Sequence, residues 1–353
     1  MRYLAINLVQ EGMRIGKKIY NEQGAVLLNT NSVLTKSIIE KLEYLGYKGL
    51  LIDDEQSEDL EYQENYVSNE VRISLAKKLN SALTLDSDEK TLSSEFENLQ
   101  TMISDIVDEI LSKRELNLNL LELKMFDNYT YFHSVNVAII SLAIAYHLKL
   151  SRMDMLTVGT AALLHDIGKL FIGADLLNKP GSLTEDEYEV IKTHCRKGYD
   201  ILSIGNNLSI KIAVSVLSHH EHYDGTGYPN GLSGEDIILF SRIISIADVY
   251  DALTSNRPYR KGSSVLEAIE YIMANSGTLF DPQLVKIFTS RVYPYPVGAS
   301  VALSNGETAV VVSNNRELCL RPNLKIISKK GNPIVDMLRD RNYRSVVISG
   351  LVQ

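Results

Sequence analysis

Cysteine is scarce in this 353-residue chain: Cys195 and Cys319 are the only two. No disulfide framework is expected, and a reducing cytoplasm fits. Long apolar runs are missing as well. A membrane helix needs roughly 18 or more consecutive apolar residues. The longest run here, around Val135 to Tyr146, contains Ser141 and is flanked by His133 and His147. The N-terminal MRYLAINLVQEGMRIGKK lacks the apolar core of a secretory signal. There is no basic stripe. Between Lys48 and Arg72 stand eight acidic residues and no basic one, which accounts for the whole net charge of −8. Without a basic stripe to neutralise phosphates, a nucleic-acid duplex is not expected as a partner, and nor is a membrane. No internal repeat or low-complexity tract is present.

What is there reads as a mainly α chain with a small module at each end. Residues 1–54 look like a small α+β module. In it, KKIYNEQGAVLL turns at Asn21 to Gly24 between two strand-like pieces, SIIEKLEYLG forms an amphipathic helix closed by Gly46, and YKGLLI supplies a strand. Residues 55–115 comprise an acidic linker and connecting helices, with Phe96, Leu99, Met102, Ile103, Ile106 and Ile110 at helical spacing. Residues 116–294 form the main helical domain. Within it, Thr184 and Glu187 make a capping box, and Asp281-Pro282 opens a further helix. From residue 295 to 353 the period changes to two, with Asn305-Gly306 as a hairpin turn, and a small β module is expected.

Five of the seven histidines fall in the helical domain's apolar segments together with two aspartates. His133 stands in DNYTYFHSVNVAII, His165 and Asp166 in ALLHDIGKL, and His194 in IKTHCRKG. His219 and His220 stand in VLSHHEHYDGTGYPNG, and Asp248 in IISIADVYDAL. Burying such groups is costly unless a shared cation compensates them. A carboxylate can bridge two ions with its two oxygens, which makes Asp166 the natural bridge. A set of nitrogen and oxygen donors without thiolate suits iron or manganese better than structural zinc. His147 in AYHLKL is read as a hydrogen-bonded core residue instead. The Gly-rich loop after the histidine pair, including Gly225, lines the mouth of the site with Tyr228. Arg257, Arg260 and Lys261 follow the Asp248 helix, where arginine's fork matches phosphate oxygens.

These motifs resemble the HD-GYP family, a branch of the HD phosphohydrolases. HDIGK and HHEHYDGTGYP match its two naming motifs, and DNYTYFHSVNV, IKTH and IADVYDALTSNRPYR match its other blocks in order, over roughly residues 120–290. The N-terminal module resembles a β-rich domain that often precedes such domains. The resemblance implies a helical HD-type phosphohydrolase domain that hydrolyses cyclic di-GMP to pGpG, and by a second cut to GMP, through a hydroxide shared between two ions. It implies that His133, His165, Asp166 and Asp248 hold one ion, and that Asp166, His194, His219 and His220 hold the other. Lys169 would contact the scissile phosphate, and Tyr228, Arg257 and Arg260 the ligand. Arg260 stands where the family often has lysine. Members with a third metal carry a carboxylate one turn before the first histidine, where this chain has Tyr129, so two ions are expected, with Asp127 as the nearest carboxylate. A second copy of the chain and a diguanylate cyclase are the protein partners it brings to mind, although no cyclase, receiver or PAS-like signature is visible in the chain itself. Two other readings stand beside this one: action on another cyclic dinucleotide, and a cyclic-dinucleotide receptor with little turnover.

Overall fold

A computed structural model describes residues 1–21, 25–47, 49–54, 66–84, 89–113, 116, 118–119, 132–204, 208–255, 262–315, 317–328 and 331–352. The chain divides into two compact units: residues 1–65, 117–128 and 289–353 make one, and residues 66–116 and 129–288 make the other.

The first unit carries the sheets. Gly49–Asp53 is the middle strand of a three-stranded antiparallel sheet, between Arg2–Ala5 and Arg14–Ile15. Its buried side chains, Leu50 and Ile52, pack with Leu4, Ile15, Leu34 and Leu42. Leu42 comes from the helix Lys36–Tyr44, which Thr35 caps by accepting from Ile38 N. Ile19–Tyr20 and Val26–Leu28 pair antiparallel around the expected turn, whose residues 22–24 lie outside the described set. The C-terminal strands form a five-stranded antiparallel sheet over Val301, Ala309, Val311, Leu324 and Ile326. The expected hairpin joins Ser300–Leu303 to Thr308–Ser313, and Gly306 takes the positive φ of +86° that its turn requires. Tyr3 N donates to Gly298 O at 3.0 Å and bridges to Ala299, so the N-terminal and C-terminal strands belong to one unit.

The second unit is helical. Phe132–His147 is apolar almost all round and buried from Val135 to Ala145. Neighbouring helices cover it on several sides: Asn69–Thr84, Arg152–Leu163 and Leu239–Thr254 all pack against it. Of the periodic residues of Glu89–Ser112, Phe96, Leu99, Ile103, Ile106 and Ile110 are buried as their spacing predicts, while Met102 is only half-buried. Burying each such side chain is worth about 1.5–3 kcal/mol. Glu185–Ser203 opens with the expected capping box: Thr184 Oγ1 accepts from Glu187 N, and Glu187 Oε2 accepts from Thr184 N at 2.8 Å. Pro282 begins Pro282–Arg291. Among the described residues no helix is long and apolar enough to cross a membrane.

Candidate metal centre

Each histidine pair sits in the turn just past a helix. His165 and Asp166 follow Arg152–Leu163 and precede a 3-10 helix, Ile167–Phe171. His219 and His220 follow Ile210–Leu217. The exit from the helix, rather than helical spacing, is what brings both members of the HD pair into the cluster. His133, His194 and Asp248 come from the three helices Phe132–His147, Glu185–Ser203 and Leu239–Thr254.

The seven side chains converge. His133 Nε2 lies 3.1 Å from Asp248 Oδ1 and 3.9 Å from Asp166 Oδ2. His165 Nε2 lies 3.4 Å from Asp166 Oδ2 and 3.7 Å from Asp248 Oδ1. His194 Nε2 stands 3.7 Å from the other oxygen, Asp166 Oδ1, and 3.4 Å from His219 Nε2. His220 packs with both, its ring 4.1 Å from that of His219 and 5.2 Å from that of His194. Two donors each about 2.1 Å from one cation, at 90–110°, stand roughly 3.0–3.4 Å apart. The observed spacings are close to what shared ions need.

Other features of the site fit a metal. His165 Nε2 and Asp166 Oδ1 are buried and make no hydrogen bond among the described residues, which is costly for polar atoms that have no cation to bind. Three imidazoles are locked in one tautomer by their own helices. His165, His194 and His219 each use Nδ1 on the carbonyl three residues back (Ala162, Ile191 and Val216, at 2.8, 2.7 and 2.6 Å), which leaves Nε2 as the donor facing the cluster. His133 is held differently, by Nδ1 on Asp251 Oδ2 at 2.8 Å.

Protonation follows from burial and charge. Burial lowers His194, holds His219 well below the usual imidazole range, and takes His220 down to about 4. Burial alone would raise Asp166 and Asp248. The charges of Lys169 and the surrounding histidines hold Asp166 well below the usual carboxylate range, and hydrogen bonding to His133 with the nearby His165 imidazole does the same for Asp248. Neutral imidazoles beside ionised carboxylates are the forms in which these side chains bind metal. At His133 burial pulls the pKa down, but hydrogen bonds to Asp248 and Asp251 push it up to about 10. This end of the pocket attracts positive charge.

The rim carries the remaining described residues. Lys169 Nζ donates to Asp166 Oδ2 at 2.6 Å. Gly168 lets this turn press on the His194 helix, since a Cβ there would fall 1.9 Å from His194 O. Tyr228 stacks on His220, with ring centroids 4.9 Å apart. Its loop is tight. Gly225 takes φ +85°, and a Cβ on Gly227 would fall 2.3 Å from His222 N. Arg257, Arg260 and Lys261, and Asp127 and Tyr129, lie outside the described residues. His147 Nε2 meets Leu116 O at 3.1 Å, so it is hydrogen-bonded as expected, but half-buried rather than in the core.

The sequence reading missed several residues. Buried Glu221 accepts from Asn230 N at 2.7 Å and Leu232 N at 3.0 Å, pinning the loop of Tyr228. Lys192 lies over the rings of both Tyr188 and Tyr228. Cys195 Sγ, 3.5 Å from His194 Nε2, groups with His194, His219 and His220, so a buried thiol adjoins a set expected to hold only nitrogen and oxygen. Asp251 and Asn136 each had a signal: they stand three residues after Asp248 and His133, on the same helix faces.

Histidine and aspartate side chains gathered in a helical core make groups that could hold a metal ion. A family model described as HD domain matches residues 81–284, and the chain belongs to that family. Its HDIGK and HHEHYDGTGYP motifs place it in the HD-GYP branch. It is 43% identical over 227 residues to Cyclic di-GMP phosphodiesterase PA4108 of Pseudomonas aeruginosa, across 63% of this chain and 55% of that protein. It is 40% identical over 155 residues to 3'3'-cGAMP-specific phosphodiesterase 3 of Vibrio cholerae, across 44% of this chain and 34% of that one. The chain thus spans about half the first relative's length and a third of the second's. Among solved structures, Bd1817, a HDG"Y"P protein from Bdellovibrio bacteriovorus, shares the fold with a TM-score of 0.52 at 16% identity, over 81% of this chain and 97% of that one.

Proposed function

We propose that the chain is a metal-dependent phosphodiesterase that opens cyclic di-GMP to linear pGpG, with GMP as the product of a second cut. The observation that carries this reading is the Asp166 carboxylate: one oxygen faces His133 and His165, and the other faces His194. That is the geometry of a residue serving two cations. The likeness to PA4108, named a cyclic di-GMP phosphodiesterase, supports the substrate.

In this reading His133, His165, Asp166 and Asp248 hold one divalent ion, and Asp166, His194, His219 and His220 hold the other. Iron or manganese suits such donors. When bound, the two ions supply an acidified water and neutralise charge on the phosphate. The chain's own residues do the rest. Lys169, already paired with Asp166, brings a cation to the rim for the phosphate oxygens. Tyr228, stacked on His220 and fixed through Glu221, orients the substrate against the ligand set. Arg257 and Arg260 clamp phosphate through their guanidinium forks. The proposal includes a cytoplasmic location, as two buried free cysteines suit a reducing compartment. It also includes association with a second copy or a diguanylate cyclase.

The likeness to a 3'3'-cGAMP-specific enzyme favours one alternative, the mixed dinucleotide as substrate with the same ligand set. Elemental analysis of anaerobically purified protein, with turnover of both dinucleotides measured on the same sample, tests the reading. About two equivalents of iron or manganese and faster cleavage of cyclic di-GMP are expected. Preference for 3'3'-cGAMP would reassign the substrate, and binding without turnover would make the chain a receptor.

A further inference from the structure

His133, unlike His165, His194 and His219, has its Nδ1 held from outside its own helix, and the residues that hold it form a buried chain. Asp251 is fully buried, and a carboxylate there needs compensation on both oxygens. Its Oδ2 accepts from His133 Nδ1 at 2.8 Å and from Ser255 Oγ at 3.1 Å. Its Oδ1 accepts from Asn136 Nδ2 at 3.0 Å. Asn136 Oδ1 in turn accepts from Arg72 Nη2 at 2.9 Å, and Arg72 Nη1 donates to Asn69 Oδ1 at 3.1 Å. Arg72 is 1% exposed, and its guanidinium lies over the ring of Phe132, 5.6 Å from the centroid. From Arg72 through Asn136 both donors point toward the carboxylate, so the cation polarises the amide and the amide steadies the anion.

We propose that Arg72, acting through Asn136 and Asp251, is a positioning residue for His133 as a metal ligand, which makes the helix Asn69–Thr84 a working part of the site. The inference rests on the reading of His133 as a ligand. It goes beyond the family match, which begins at residue 81, whereas Asn69 and Arg72 precede it. A buried polar cluster can serve only to fix a core. This one ends on an imidazole whose second nitrogen faces Asp248 at 3.1 Å and Asp166 at 3.9 Å. A carboxylate on the far nitrogen of a ligating histidine fixes its tautomer and orientation and raises its basicity.

The test uses the full chain and manganese alone as probe, with affinity read by titration calorimetry for the parent, Asp251→Asn, Arg72→Met and the double variant. Either single change should weaken manganese binding about 10–100-fold, the usual scale for a residue supporting a metal ligand. In a relay the double variant should be no weaker than Asp251→Asn. Equal affinity in all four proteins, or losses that simply add, would overturn the relay. If Arg72→Met does not fold, Asn136→Ala breaks the same series while leaving Arg72 its bond to Asn69, and the same comparison applies. A second readout is the nitrogen resonances of 15N-labelled histidine. His133 should show a protonated Nδ1 in the parent and lose that signature in Asp251→Asn, which a purely core role would not produce. Asp166→Asn is the control for the metal reading. If the parent and Asp166→Asn bind manganese equally, the metal assignment fails and takes this role of His133 with it. If only Asp166→Asn weakens binding, the metal assignment stands and the relay alone fails.

Discussion

The pairs His165-Asp166 and His219-His220 are built alike and do different work. In each, a helix ends and its first histidine turns Nδ1 back onto that helix, at 2.8 Å for His165 and 2.6 Å for His219. The second members diverge. Asp166 turns into the cluster, with one oxygen toward each group of histidines. His220 keeps to the His194 and His219 side and lays its other face on Tyr228. One pair therefore joins the two halves of the proposed ligand set, and the other joins that set to the loop proposed to meet the substrate. Adjacent residues at a helix exit can be split into a fixed donor and a connecting residue, and the chemistry of the second decides what gets connected.

The comparison can be broken at its strongest point by Asp166→Asn. An amide lacks the second anionic oxygen, so both ions should be lost and hydrolysis should fall to background while helicity stays; elemental analysis, turnover and circular dichroism check this. Metal and turnover retained at parent levels would remove the bridging role. His220→Phe is narrower. The ring stays to pack on Tyr228 while the donor nitrogen goes, so about one metal equivalent should disappear with the loop still ordered, as read by metal content and limited proteolysis of the loop. If both ions leave together, the two pairs are not separable. Arg257→Ala lies outside both pairs. Metal content should not change, and the substrate KM should rise by the equivalent of about 1.5–3 kcal/mol, the scale of a charge-assisted contact. An unchanged KM would make that segment solvated surface. The smallest effect is expected far from either pair. Gly306→Ala puts a side chain at φ +86° and should cost about 1 kcal/mol in thermal unfolding, leaving metal content and turnover as they were.

Much of the site was legible in the sequence because histidine and aspartate in apolar helices are expensive enough to be conspicuous. His133, His165, Asp166, His194, His219, His220 and Asp248 all meet in the structure. The sheets at the two ends, the hairpin after Leu303 and the capping box at Thr184 followed from local pattern. What stayed hidden was long-range. Arg72 reads in sequence as an ordinary helical cation, and only packing brings it to Asn136, 64 positions later. Asp251 lies 118 positions from His133, and its spacing from Asp248 hinted at a shared face without naming the partner. Glu221 sits beside the histidine pair, but its grip on Asn230 and Leu232 depends on how the loop folds back. Cys195 was counted among the cysteines and excluded as a disulfide partner, and its closeness to His194 Nε2 could not be read from adjacency alone.

The missing side chain of Gly168 has a consequence for dimensions. A single methyl there would meet His194 O at 1.9 Å, so the segment carrying Asp166 and the helix carrying His194 are brought together to backbone contact. The two main chains thus set the base from which Asp166 Oδ1 and His194 Nε2 come within 3.7 Å, as a caliper's jaws set its gap. A chain with any heavier residue at this position would open the jaws, and the carboxylate would then reach one side of the centre but fall short of the other.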